Sequence, residues 1–289
     1  MLNDSQVGDA RNALVLAQAC SFAYLDEAEG VSAFRSRLGL EARFISADNT
    51  QVYVAQNEAL ILVAFRGSQC PFTLDGLKDW LLTNANNYLV LPEGQIGTDF
   101  AAAGVGTRFH RGFLEALEET WVPLYRVLDE AMKVAERPLW VTGHSLGGAL
   151  ALLAAWRFQR HFLPVSAVVT FGAPMIGNEA AARAFEEEFG SRILRYVNLE
   201  DPVPLLPSVS LVANAYAHCP HEIPLTSEHE AAVPAADVLH QSIIDQGGAD
   251  PVVANHEVER LWDAIQHRLE AHLIDRYHAR LKQRCQGVG

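Results

Sequence analysis

Hydrophobic positions along this chain follow two alternating periods. Leu60-Ile-Leu-Val-Ala-Phe65, Leu139–Thr142 and Val165–Phe171 are apolar at consecutive positions, as expected of strands buried on both faces. Ala42–Ser46 and Thr50–Gln56 precede the first of these. With Asp48-Asn49 and Asn57-Glu58 as turns, they predict a meander closed by Ala59–Arg66. Elsewhere the period lengthens to that of a helix. Ala13, Leu16, Ala17 and Cys20 mark the inward face of a first helix, and Leu117, Trp121, Leu124, Leu128 and Met132 mark a core-facing one over about Leu114 to Glu136. From Leu146 to about Phe162 the pattern is apolar nearly all round, which predicts a helix buried on every side.

Further on, Asn178 to Phe189 reads as a helix with Asn178 as N-cap and Gly190 as its stop. Arg192–Asn198 alternates as a strand halted by Asp201-Pro202. Thr107–Phe113 reads as a strand leading into the long helix. Gly94–Gly106 reads as a surface loop, Leu206–Asp250 as mostly loop, and a closing helix is expected from about Asn255. Strands alternating with helices through the middle of the chain predict an α/β fold: a mostly parallel central sheet with helices on both faces, in one domain over residues 1–289. Chemistry on such a sheet gathers at the carboxyl ends of its strands. Ser68, Ser145 and Asp201 all fall just past strand ends.

Composition narrows the class without changing this picture. A chain of 289 residues, 49% hydrophobic and 20% charged, has the balance of a globular protein able to bury a large core. The net charge of −13 argues against nucleic acid and against anionic membranes as partners, and leaves contact with a neutral lipid interface open through an apolar patch. No stretch approaches the roughly 20 apolar residues of a membrane span. Ala13–Leu25 lacks a basic leader and is interrupted by Gln18, so it reads as an amphipathic helix and not as a secretory signal. Cys20, Cys70, Cys219 and Cys285 are scattered, which together with the missing leader suggests reduced thiols and a cytoplasmic location. His218, Cys219 and His221 have poor spacing for zinc, and no metal or organic cofactor is expected.

The densest chemical signal is Gly143-His-Ser-Leu-Gly147, a G-x-S-x-G sequence at the junction of a predicted strand and helix. Such an abrupt turn strains its central residue and requires neighbours without bulk, so Ser145 is held out at the sheet edge with a helix N-terminus behind it. A serine hydroxyl is a weak nucleophile and needs a histidine base oriented by a carboxylate, which on sheet-based hydrolases follow in the order Ser, acid, His. Asp201 directly follows a strand and is fixed by Pro202, although a plain turn aspartate fits the same position. Glu200, Asp237, Asp245 and Asp250 have suitable chemistry in less constrained settings. Eight of the eleven histidines lie after Pro207. On a helical wheel, Val258, Leu261, Trp262, Ile265 and Leu269 define one face. His272 falls on the margin of that face, while His267 and His278 point away. For the oxyanion, the Leu146 N–H at the helix start and the Ser68 N–H, with its hydroxyl, are the candidate donors. His144 reads as structural.

Taken together these residues resemble the class 3 (fungal-type) lipases. Phe65-Arg-Gly-Ser68, Asp79-Trp80, Phe109-His-Arg-Gly-Phe113, Gly143-His-Ser-Leu-Gly-Gly-Ala149, Phe171-Gly-Ala-Pro174 with Gly177-Asn178, and the run Asn198–Pro207 follow that family's motif order. Tyr216-Ala-His218 and His272, Tyr277 and Leu281 match more loosely. The resemblance implies an α/β-hydrolase fold and hydrolysis of acylglycerol esters, or of phospholipid or short-chain esters by the same residues. It implies Ser145, Asp201 and His272 as a triad, Ser68 and Leu146 as the oxyanion hole, and a lid at about residues 69–87. The chain departs from the pattern at Cys70-Pro71 and at Thr83-Asn84, where the family carries an acidic residue.

Overall fold

A computed structural model describes residues 2–68, 88–206, 215–226 and 266–286. The expected lid, 69–87, lies outside the described residues, as does most of the expected loop between 206 and 250. The chain begins with α1 (Ala10–Ala23) and a short α2 (Glu27–Ala33). It then enters β1 (Glu41–Ala47), β2 (Thr50–Gln56) and β3 (Ile61–Phe65). After β4 (Leu89–Val90), α3 (Gly94–Phe100) and β5 (Phe109–His110) comes the long α4 (Arg111–Val134). The centre is β6 (Leu139–His144), α5 (Leu146–Arg160) and β7 (Val165–Phe171), followed by β8 (Gly177–Asn178), α6 (Glu179–Phe189) and β9 (Ile193–Asn198). β10 (Tyr216–Ala217), β11 (Glu222–Leu225) and α7 (Ile274–Gln286) complete the described elements.

Among the described residues seven strands form the main sheet, in the order β1-β2-β3-β6-β7-β9-β11. β1, β2 and β3 are the antiparallel meander, and every pairing from β3 to β11 is parallel. Because side chains alternate across a strand, the continuous apolar runs feed two cores at once. Ile61, Val63, Phe65, Leu139, Val141 and Val168 face α4, α5 and α6 on one side. Leu62, Ala64, Trp140, Ala167, Val169 and Phe171 face α1 and α7 on the other. The stripe on α4 is core as its spacing predicts: Leu117, Leu124 and Leu128 are fully buried, each contributing about 1.5–3 kcal/mol, and Met132 packs at the edge. α5 is buried along Leu146–Phe158 on every side, including the charged Arg157.

Three expectations give way. Residues 94–106 are not all loop, because α3 forms where Ile96 and Phe100 pack inward, the latter beside Phe109 and Trp156. The predicted strand at 107–113 shrinks to Phe109–His110, since the His110 side chain caps α4 by accepting the Phe113 N–H at 3.2 Å. The closing helix does not run through His272. Residues 266–272 form a 3-10 stretch, Leu273 is a bend, and α7 begins at Ile274.

Candidate active site

Ser145 sits at the junction of β6 and α5 with φ +58° and ψ −130°, a conformation strained for any residue with a Cβ. The turn closes only because its neighbours are small. A Cβ on Gly143 would lie 2.1 Å from the Gly147 carbonyl oxygen, and one on Gly147 would lie 2.4 Å from the Phe65 carbonyl oxygen. The Ser145 N–H donates to Phe171 O at 3.0 Å, which ties the turn to the end of β7. The first-turn N–H groups of α5, beginning with Leu146, have no carbonyl within the helix to donate to. In the parallel register Phe65 pairs with Gly143, so Arg66–Ser68 leaves the sheet beside the serine turn. The Ser68 hydroxyl oxygen is buried and takes no hydrogen bond among the described residues.

Asp201 is the third residue after β9 and is almost fully buried. Its Oδ1 accepts the Val203 N–H at 2.9 Å. Its Oδ2 receives two donors, the His272 ring through Nδ1 at 2.7 Å and the Tyr277 hydroxyl at 2.5 Å. Tyr277 in turn accepts the Asn198 N–H at 3.2 Å, and burial next to the Asp201 carboxylate pushes its phenol well above the ordinary range. Asn198 Nδ2 donates to Ala271 O at 2.8 Å, anchoring the turn before His272 to the end of β9. Gly172, at φ +58°, completes the junction: a Cβ there would lie 2.7 Å from Asp201 Oδ2 and 3.1 Å from His272 Cε1.

His272 is 3% exposed, and its second ring nitrogen, Nε2, is buried without a partner among the described residues. That is the atom a general base keeps vacant. No hydrogen bond joins Ser145 to His272 among the described residues. Catalytic hydrogen bonds are often long before substrate binds. His278 lies half-buried on α7. The wheel that favoured His272 over it assumed one uninterrupted helix, and the bend at Leu273 removes that ground. Burial against Asp201 supplies a different one.

His144, read as structural, is held by partners that the sequence did not name. Its Nε2 donates to the His272 main-chain carbonyl at 2.6 Å, and its Nδ1 accepts the Tyr24 hydroxyl at 2.8 Å. A carbonyl can only accept, so Nε2 carries the hydrogen, and in the neutral ring Nδ1 is then the acceptor. Burial and then the neighbouring His272 hold it well below the usual histidine range. Adjacency to Ser145 was the one signal that could have raised its interest.

The remaining polar groups do not converge. His218 donates to Pro204 O, His221 faces Glu186 at 3.3 Å, and Cys219 is buried as a free thiol. Among the described residues no cluster of three or more His, Cys, Asp or Glu side chains is arranged to hold a metal ion, and no helix is long and apolar enough to cross a membrane.

Comparison with known proteins adds the rest. Residues 62–211 match the family model described as lipase (class 3). A phospholipase A(1) from Arabidopsis thaliana, DAD1, is 29% identical over 160 residues, covering 52% of this chain and 34% of that one. A secreted mono- and diacylglycerol lipase from Fusarium solani is 35% identical over 161 residues, covering 54% and 43%. The alignments therefore span less than half the length of these curated relatives. The solved triacylglyceride lipase of Rhizomucor miehei superposes with a TM-score of 0.56 at 26% identity, covering 76% of this chain and 82% of that one. This agrees with the α/β-hydrolase architecture of the sheet. The cytoplasmic location expected from the missing leader and scattered cysteines is overturned here, because the Fusarium relative and others from Gibberella zeae and Penicillium cyclopium are named as secreted enzymes. Motif order, sheet topology and a family match over more than half of the chain agree: this chain belongs to the class 3 lipases.

Proposed function

We propose that the protein is a serine carboxylic ester hydrolase that cleaves acylglycerol esters through an acyl-enzyme, with Ser145 as nucleophile, His272 as general base and Asp201 as its orienting acid. The observation that carries this reading is the His272 ring, held by Asp201 through Nδ1 with Nε2 left vacant, on the sheet edge where Ser145 is strained outward. Ser145 Oγ attacks the ester carbonyl as its proton passes to His272 Nε2. The oxyanion is held by the Leu146 and Ser68 N–H groups, with the Ser68 hydroxyl as a further donor. His272 then gives the proton to the leaving alcohol, and water, deprotonated by the same ring, releases the fatty acid. Asp201 stabilises the imidazolium formed at each step without taking its proton.

The chain works as a single domain in this reading, with 69–87 as the lid and its apolar residues as the contact to a lipid interface. The Arabidopsis relative, named a phospholipase A(1), favours a second substrate class for the same residues. Parallel assays on triacylglycerol emulsion, phosphatidylcholine vesicles and p-nitrophenyl esters of graded length decide between the two. Activity confined to acetyl and butyryl esters would refute both lipid readings. Ser145→Ala is expected to lose at least ~10³-fold in kcat, and His272→Ala a comparable amount while His278→Ala stays active. An active His272→Ala variant would move the base elsewhere.

A further inference from the structure

His144 belongs to the nucleophile's strand, yet both its ring nitrogens are engaged by residues distant in sequence. Nε2–H donates 2.6 Å to the main-chain oxygen of His272, and Nδ1 accepts 2.8 Å from the Tyr24 hydroxyl. The two histidine rings lie 4.5 Å apart between centroids, tilted by 33°. Tyr24 is itself fixed: its carbonyl accepts the Arg66 guanidinium at 2.7 Å, and its hydroxyl occupies the space beside Gly67, where a Cβ would come within 2.0 Å of it. The chain Arg66–Tyr24–His144–His272 therefore runs from the end of β3, through the cap of α1 and the end of β6, to the residue before the Leu273 bend.

We propose that His144, with its tautomer set by Tyr24, is a positioning residue for the base: it holds the His272 backbone while Asp201 holds the His272 ring. The inference rests on the assignment of His272 as the general base. Geometry gives it content. Asp201 fixes one ring nitrogen and Asn198 holds the preceding carbonyl of Ala271, which leaves the His272 carbonyl itself free to swing. A 3-10 turn ending in a bend is a weakly restrained place to mount a base, because its hydrogen-bond geometry is poorer than that of an α-helix. A second anchor on the main chain removes that freedom. The anchor must also be uncharged, since the imidazolium that forms on His272 would be opposed by a second positive ring 4.5 Å away. The Tyr24 hydroxyl, donating to Nδ1, keeps that nitrogen an acceptor and the ring neutral.

The test has two arms on the full chain. In ¹⁵N-histidine-labelled wild-type protein at pH 7, the His144 resonances, assigned by their loss in a variant, should report a neutral ring with hydrogen on Nε2. An Nδ1–H tautomer or an imidazolium would overturn the proposal. In kinetics on a p-nitrophenyl ester, His144→Phe should lower kcat by about 10–100-fold with KM within about threefold, the cost of sub-ångström misplacement of a catalytic group. His144→Gln, which restores an N–H donor, should recover most of that loss. Tyr24→Phe should lower kcat by several-fold and broaden or shift the His144 resonances. Should His144→Phe fail to fold, the tautomer and Tyr24→Phe decide alone. A folded His144→Phe variant with wild-type kcat, beside an inactive His272→Ala, overturns the clamp and spares the base. An active His272→Ala overturns the base assignment and the clamp with it.

Discussion

Gly172→Ala strikes the point where Asp201, His272 and Tyr277 meet. The added methyl would sit 2.7 Å from Asp201 Oδ2, 2.8 Å from the Tyr277 hydroxyl and 3.1 Å from His272 Cε1, where ordinary contact begins at 3.4 Å. The deficit to the carboxylate is about 0.7 Å, and none of the three neighbours is the loose end of a flexible chain. Either Asp201 or the His272 ring must move by several tenths of an ångström. Displacement of that order in a catalytic group costs about 10–100-fold in rate. The backbone adds its own penalty, because φ +58° is unfavourable for alanine by about 1–2 kcal/mol. Gly39→Ala separates the two effects. Gly39 also has a left-handed φ, +66°, but nothing lies within 4 Å of a Cβ there. It should lose similar backbone stability and keep full activity. The assay pairs kcat on a soluble ester with the urea unfolding midpoint for both variants. Full kcat in a folded Gly172→Ala protein would refute the claim that Asp201 and His272 must hold this geometry. Equal loss of kcat in Gly39→Ala would show that backbone strain alone was being measured.

Two further expectations concern buried charge. Burial lowers His110 to about 3 and holds His144 well below the usual range, so both rings stay neutral in the fold and take up protons on unfolding below about pH 6.5. The unfolded chain then binds more protons, so this contribution to stability is complete above pH 6.5 and is lost as pH falls toward 3. For His110 the loss is about 2 kcal/mol by pH 5. Unfolding midpoints at pH 7, 6 and 5 check this, and His110→Asn, which keeps an N-cap acceptor, should flatten the slope; an unchanged slope would contradict it. Arg157 is fully buried, donating to Asp99 at 2.8 Å, pairing with Glu118 and stacking 3.7 Å from the Trp121 ring. Arg157→Met removes the guanidinium from the Asp99 carboxylate, leaving it His161 at 3.0 Å as its remaining side-chain partner, and should cost about 3–5 kcal/mol in calorimetric or urea unfolding. Because it lies about 18 Å along the helix from Ser145, kcat per folded molecule should not change, and a fall in kcat would indicate coupling along α5.

What the sequence revealed depended on how local the cause was. Ser145 was legible because a strand-to-helix turn needs small residues at 143 and 147, a requirement written in adjacent positions. The turn that carries Asp201 was legible because β9 ends just before Asp201-Pro202. α3 was hidden because its glycines argue for a loop, while its cause is non-local: Phe100 against Phe109 and Trp156. β11 was read as loop because Pro224 interrupts it, yet β11 is the edge strand of the sheet, where a missing N–H is tolerated. His272 was chosen by a helical phase that the bend at Leu273 breaks. Its meeting with Asp201 is a contact across 71 residues that no local pattern records. The Tyr24–His144 contact spans 120.

The space beside Gly67 has a consequence for how such chains can diverge. Because a Cβ there would meet the Tyr24 hydroxyl at 2.0 Å and the His144 carbonyl at 2.8 Å, residue 67 cannot enlarge while Tyr24 is present. Loss of the tyrosine ring would lift the nearer barrier and leave the second. The order of substitutions then matters: Tyr24 must change, and the His144 main chain must give way as well, before position 67 can drift, and once position 67 has filled, return of the tyrosine is blocked. Gly30 and Tyr53 form a like pair, with the Tyr53 hydroxyl 2.1 Å from where a Cβ would stand. Each pair acts as an evolutionary ratchet, in which history at one site sets which residues the other can accept.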